Sequence, residues 1–332
     1  MNRRGFLGLL SALAFATPAR AEEENKFFGA LKPAFKSRRI PFRRAFGHFK
    51  GISKGQKAFL WKYLEIILGA PLKPHKQGGE GDCVGHAAGL GVDILAACDL
   101  FMRFEPETWK AKSSVEMIYT GSRNEIGGGD LEGRAGSHGE WAVKFLSQYG
   151  TLHRQIYASG DNYLDLRGYD VVRSYKMRDL GVPDWLEPKA KQHPVKTYSK
   201  ILTVRDAFDS VFVGQPVILC STYAFHDTRD KDGFCKPYLS TWNGNRWRGR
   251  WFRKQWWHAL LLAGFKDDSR PGGLILNSHG AWNDGPTTYG QPPGSFWVDA
   301  EYLELMLKDW EDCYAMSAYV GHPQRMLSHK LY

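Results

Sequence analysis

Apolar positions keep two rhythms along the 332-residue chain. In the first half they recur at helical spacing. Residues 84–101 read as a long, largely buried helix, and 113–123 and 137–149 as two more. The last opens on Ser137, carries Glu140 three residues on in a capping-box arrangement, and stops at Gly150. From about 153 to 199 Tyr, Asp, Arg and Pro break every pattern, so that stretch reads as long loops crossing between two lobes. Beyond it 204–213 reads as one helix. Short runs then follow at 216–222, 239–242, 246–252, 257–265, 273–277 and 295–298 that read as strands, with Asn243-Gly244 marking a hairpin. The pattern predicts a helical lobe followed by an antiparallel, barrel-like β lobe.

The N-terminal region changes this picture. Residues 1–21, MNRRGFLGLLSALAFATPARA, have a basic start, a short apolar core and a small-residue ending before Glu22-Glu23-Glu24, the layout of a cleavable bacterial leader. Arg3-Arg4 before Gly5-Phe6-Leu7 resembles a twin-arginine signal, which implies export to the periplasm or medium. The apolar core at 6–16 is too short to span a bilayer. No other segment reads as a membrane span, so a soluble mature chain is expected.

Formal charge is +10, and residues 31–57 hold nine Lys or Arg with no acid, among Phe35, Phe42, Phe46 and Phe49. Such an arm suits an anionic polymer or a membrane surface, and equally an arm clamped to the body by its phenylalanines. No phosphate loop is present: Gly127, Gly128 and Gly129 follow no strand, and no specific nucleic-acid partner is expected. The mature protein reads as a monomer.

Five cysteines, at 83, 98, 220, 235 and 313, leave one over if two disulfides form. Cys220 and Cys235 flank a polar loop and are the expected pair in an oxidising compartment. Cys83 stands in a glycine-rich lead, KQGGEGDCVGH, at the start of the first long helix. His258 opens the apolar strand HALLLAGF, and Asn277 ends the next one, LILN. A thiol at a helix N-terminus, an imidazole beside it and an amide to hold the ring are what a sulfur nucleophile requires.

With these residues the chain resembles the papain-like cysteine peptidase family. Gln77 lies six residues before Cys83, His258 is followed by Ala259 and an apolar strand, and Asn277-Ser278 precedes Gly280 by one residue. Gln148-Tyr149-Gly150, Gly214-Gln215-Pro216-Val217-Ile218 and Gly294-Ser295-Phe296-Trp297 add to the likeness, which covers roughly residues 75–320. It implies an α+β, two-lobe fold with the site in the cleft, and Cys83, His258 and Asn277 as catalytic residues. Gln77 and the Cys83 backbone N–H would form the oxyanion hole, with no cofactor and no metal. Implied domains are the leader 1–21, a basic extension 22–75, the peptidase domain 76–320 (lobes about 76–155 and 200–320) and a tail 321–332.

Several positions depart from the family pattern. Asp82 and Val84 flank the nucleophile, and an aspartate there opposes a thiolate. His279 stands where the family has a tryptophan that shields the His–Asn bond, with Trp282 close by as a substitute. His258 comes 175 residues after Cys83, against about 130–150 in the papain signature. His86, one helical turn from Cys83, reads as a core histidine. His226, Asp227, Asp230, Asp232 and Cys235 read as a solvated loop rather than a metal site. The run 246–257, RWRGRWFRKQWW, reads as a cleft rim ending on Trp257. Three functions remain open: a peptidase, a thiol hydrolase or acyltransferase on a cell-wall or other amide, and a silent binding module.

Overall fold

The structure is a computed structural model and describes residues 29–34, 39–46, 51–103, 109–129, 131, 133–193, 195–242, 245–248 and 255–317. The leader, the tail from 318 and the Asn243-Gly244 turn lie outside these residues. Runs of apolar residues without polar interruption form strands buried on both faces. VILCSTY becomes β3 (Val217–Tyr223) and GGLIL becomes β5 (Gly272–Leu276), both buried throughout. Between them lies the 12-residue β4 (Gln255–Lys266). With β1 (Lys57–Phe59), β2 (Thr197–Lys200), β6 (Phe296–Asp299) and β7 (Asp312–Ser317) they make one antiparallel sheet. Its order is β6-β5-β4-β3-β7-β2, and β1 joins β4 beyond the end of β3.

Among the described residues the sheet stays open rather than closing into a barrel. Other segments cover its edges, which protects the unpaired backbone groups there. Ile40 accepts a bond from Lys200 N while Pro41 bridges Lys200, and Phe234 bridges Trp297 at the far side. β4 shifts register twice, between Gln255 and His258 and between Leu262 and Gly264. At Gly264 a side chain would meet the buried Trp61 ring at 2.5 Å, so only glycine lets α1 (Trp61–Leu68) lie so close. Ala58, Phe59, Leu60, Trp61, Tyr63 and Leu64 are core, so this part of the extension is built into the body of the protein.

One face of the sheet packs on α2 (Cys83–Arg103), continued by α3 (Val115–Gly121) and α4 (Gly139–Gln148). α2 meets the length and hydropathy of a membrane span over Cys83–Met102, contrary to the sequence reading. However, 78% of that window is buried inside the protein, as in a core helix. α6 (Val204–Phe212), capped by Thr203, and α7 (Ala300–Trp310) also pack on the sheet.

Three local expectations are corrected. Ser137 does not cap α4: its Oγ lies 2.7 Å from Ser122 Oγ, and Asp312 on β7 instead accepts Gly139 N at 2.7 Å and Glu140 N at 3.0 Å. The stretch read as loops contains a hairpin, Ile156–Ser159 with Asn162–Asp165, and α5 (Val171–Met177), packed around a second small core of Leu166 and Leu186 with Met117 of α3 and Phe145 of α4. All five cysteines are free and buried, so the expected Cys220–Cys235 bridge is absent. Cys98, Cys220, Cys235 and Cys313 sit in the interior as small buried residues.

Candidate active site

The register of β4 against β3, His258 opposite Ser221, sets His258 at the edge of the buried sheet beside the first turn of α2. Cys83 is the first residue of that helix and is fully buried. Its Sγ accepts the Ala259 N–H at 3.3 Å, which fixes the thiol against the residue next to His258. Asn277 lies one residue past the end of β5, where its side chain is free to turn toward β4. Its Oδ1 is 2.9 Å from His258 Nε2 and also accepts Ser278 N at 2.7 Å. Among the described residues His258 Nδ1 has no hydrogen-bond partner. His258 and Asn277 are thus bonded to each other, and Cys83 is bonded to the residue next to His258.

Gln77 is only 1% exposed, with both ends of its amide engaged. Nε2 donates one hydrogen to Glu80 O at 2.9 Å, leaving its second N–H, and Oε1 accepts Ser278 Oγ at 2.5 Å. Its loop is stitched to the Asn277 loop. Gln77 N donates to Ser278 O at 2.9 Å, Gly280 N donates to His75 O at 2.7 Å, and Lys76 bridges His279. His279 stacks on His258 with centroids 4.3 Å apart and planes 24° apart. Trp256 stands edge-on to both rings at 5.8 Å. Trp282 packs on Trp256 at 5.2 Å and is 6.5 Å from His279. The shield over the His258–Asn277 bond is therefore shared, and sequence reasoning missed Trp256, the central member. Its place two residues before His258 on the same strand face was the available signal.

Asp82 is fully buried beside the nucleophile. Its Oδ2 accepts Tyr169 Oη at 2.8 Å and Ser174 Oγ at 2.7 Å, and Oδ1 lies 3.5 Å from His86 Nε2. Burial raises this carboxyl to about 8, against the two hydroxyls and helped by Glu80 and Glu116. Asp82 is therefore mainly uncharged at neutral pH, which removes much of the charge that opposed a thiolate in the sequence reading. His86 Nδ1 is 3.2 Å from His75 Nδ1, and burial holds His86 neutral. His86 belongs to this chain of neutral groups under α2. Tyr169 and Ser174 lie in the stretch read as loops.

The cleft is occupied. Gly29 N and Ala30 N donate to Trp257 O at 2.7 and 2.8 Å, while Leu31 N and Ser137 N exchange bonds with Ser137 O and Gly29 O at 2.8 and 2.9 Å. The segment thus runs from the strand before His258 to the start of α4. A Cβ on Gly29 would come within 2.6 Å of both Cys83 Sγ and Gly81 O, so only glycine passes over the thiol this closely. Under this cover burial pushes the Cys83 thiol up to about 12, with the Ala259 N–H acting in the other direction. Burial likewise lowers His258 to about 4 against the Asn277 bond. The pair is neutral in this state. Trp257, 38% exposed, rests against Trp310 at 5.7 Å and supplies the carbonyl that holds the strap.

The acidic loop is taken up by a cation. Arg270 binds Asp230 at 2.7 Å, Asp232 at 3.3 Å and Asp299 at 2.7 Å, and the His226 ring lies tilted against Tyr238. Of the rim run, 249–254 lie outside the described residues.

No family model matches the sequence. No curated protein matches it either. Solved structures do. Xylellain, a cysteine protease from Xylella fastidiosa, is 16% identical with a TM-score of 0.56, over 88% of this chain and 96% of that one. Digestive procathepsin L2 proteinase from Tenebrio molitor larval midgut is 15% identical with a TM-score of 0.56, over 91% of this chain and 80% of that one. At this identity the likeness establishes the fold: an α+β, papain-like architecture shared with cysteine proteases.

Proposed function

We propose that the protein is a cysteine-type peptidase that hydrolyses peptide bonds through Cys83, His258 and Asn277, and that the leader 1–21 exports it. One observation carries the reading. His258 is held by Asn277 through Nε2 at 2.9 Å, its Nδ1 has no partner among the described residues, and its neighbour Ala259 bonds the Cys83 sulfur. That leaves one lone pair to take the thiol proton.

In the reaction the proton moves from Sγ to His258 Nδ1, and the thiolate attacks the substrate carbonyl carbon. The tetrahedral oxyanion is met by the Cys83 N–H and the second N–H of Gln77, a contribution of about 10²–10³ in rate per donor. The C–N bond breaks as His258 gives its proton to the leaving amine. His258 then takes a proton from water, whose oxygen displaces sulfur from the thioester and releases the acid. Trp256, His279 and Trp282 keep water from the His258–Asn277 bond, where it would compete. The strap at 29–31 must leave before a substrate strand can enter, and its departure rehydrates the thiol and imidazole so that an ion pair can form.

The test is labelling by an epoxide thiol inactivator across pH, with the adduct located by mass spectrometry, in the wild type and in His258→Ala. Modification at Cys83 that collapses in the variant supports the peptidase. Labelling spread over several cysteines and indifferent to His258 would refute it. A substrate screen over peptides and cell-wall amides then separates the two hydrolase readings.

A further inference from the structure

We infer that His279 is a positioning residue for His258, acting through Asn277, and that its protonation switches the site off in acid. The inference rests on the triad reading above. Asn277 is held at both ends. Oδ1 faces His258 Nε2 at 2.9 Å, and Nδ2 faces His279 Nδ1 at 3.3 Å. An amide nitrogen has only hydrogens to give, so His279 Nδ1 must carry a lone pair and its own proton must sit on Nε2. The amide oxygen has only lone pairs, so His258 carries its proton on Nε2 and keeps Nδ1 free for the thiol. One side chain thereby sets the tautomer of both rings. A tryptophan at 279 would cover the bond equally well but offers no acceptor to Asn277.

Protonation of His279 at Nδ1 has two effects. It sets donor against donor at Asn277 Nδ2, which frees the amide to turn. It also places a cation on a ring stacked 4.3 Å from His258, which must itself become a cation when it takes the Cys83 proton. The groups around His279 include His258 on β4, His86 on α2, Lys76 across the bridged loop, and the rings of Trp256 and Trp282.

The test uses the full chain in two measurements, the rate of Cys83 alkylation by iodoacetamide and histidine-ring NMR, both followed over pH. Three variants are compared with the wild type. His279→Phe keeps a stacked ring without an acceptor, His279→Gln keeps an acceptor that does not titrate, and His258→Ala removes the base. The wild type is expected to lose reactivity with two protons on the acid side. His279→Phe should be slower by about tenfold at its optimum, the loss of one hydrogen bond, and should show a single-proton limb. His279→Gln should regain the rate and keep the single-proton limb. The His258 ring should titrate higher in both variants than in the wild type. Superimposable profiles and ring titrations in the wild type and both His279 variants would overturn the inference while leaving the triad standing if His258→Ala still collapses. Labelling indifferent to His258 would remove the triad and this inference together.

Discussion

The two walls of the cleft are made differently. The β wall delivers His258 and Asn277 by register: both stand at or beside the ends of buried strands, and their bond to each other needs only β4 and β5 side by side. The helical wall delivers Cys83 by a helix start, but the state of its sulfur depends on distant segments. Gly29 covers it, Ala259 donates to it, and Tyr169 and Ser174 hold its neighbour Asp82. Strand register positions a side chain, while remote polar partners decide what protons it carries.

The largest effect comes from breaking the β wall. His258→Ala should slow peptide turnover by about 10²–10⁴-fold, the usual contribution of a general acid–base, with the circular dichroism spectrum unchanged. A steady-state assay reads this. On the helical wall, Gly29→Leu places a side chain where Cys83 Sγ and Gly81 O leave no room. The strap's four backbone bonds, about 1 kcal/mol each, then no longer hold it in the cleft. Iodoacetamide should modify Cys83 at least about tenfold faster in that variant, and an unchanged rate would mean that the strap does not gate the thiol.

Asp82→Asn sharpens the contrast through stability. The folded carboxyl titrates at about 8 against an ordinary 3.8 for aspartate, so between those values the native protein holds a proton that the unfolded chain gives up. Rising pH across that window therefore favours unfolding, and below about 4 the two states do not differ. The amide copies the neutral acid. It should raise stability by ~4 kcal/mol at pH 7 and add almost nothing near pH 4, as urea midpoints at the two values will show. The smallest effect belongs to Asp312→Ala, which strips the cap from α4 and should cost about 1 kcal/mol in the same titration.

Much of the β wall was legible in the sequence. The run read as a strand over 257–265 is β4 at Gln255–Lys266, and 273–277 is β5 with Asn277 just beyond it. Unbroken apolar residues carry that signal themselves. The helix at Ala300–Trp310 was legible and went unread, since Leu303, Met306, Leu307 and Trp310 keep helical spacing. β1 and β2 were not legible, because strands of three or four residues in basic or polar sequence show no alternation. Nor were Tyr169, Ser174 and Asp312, each of which matters through one oxygen meeting a group far along the chain.

The five unpaired cysteines carry a practical consequence. Sulfur chemistry of the proposed kind requires Cys83 as a free thiol, since an oxidised Cys83 is inert as a nucleophile. A scaffold braced by cystines would risk loosening under the dithiothreitol that restores such a thiol. Here the fold is held by packing and polar contacts, so activation by reductant and integrity of the protein are independent of each other, and either can be assayed without disturbing the other.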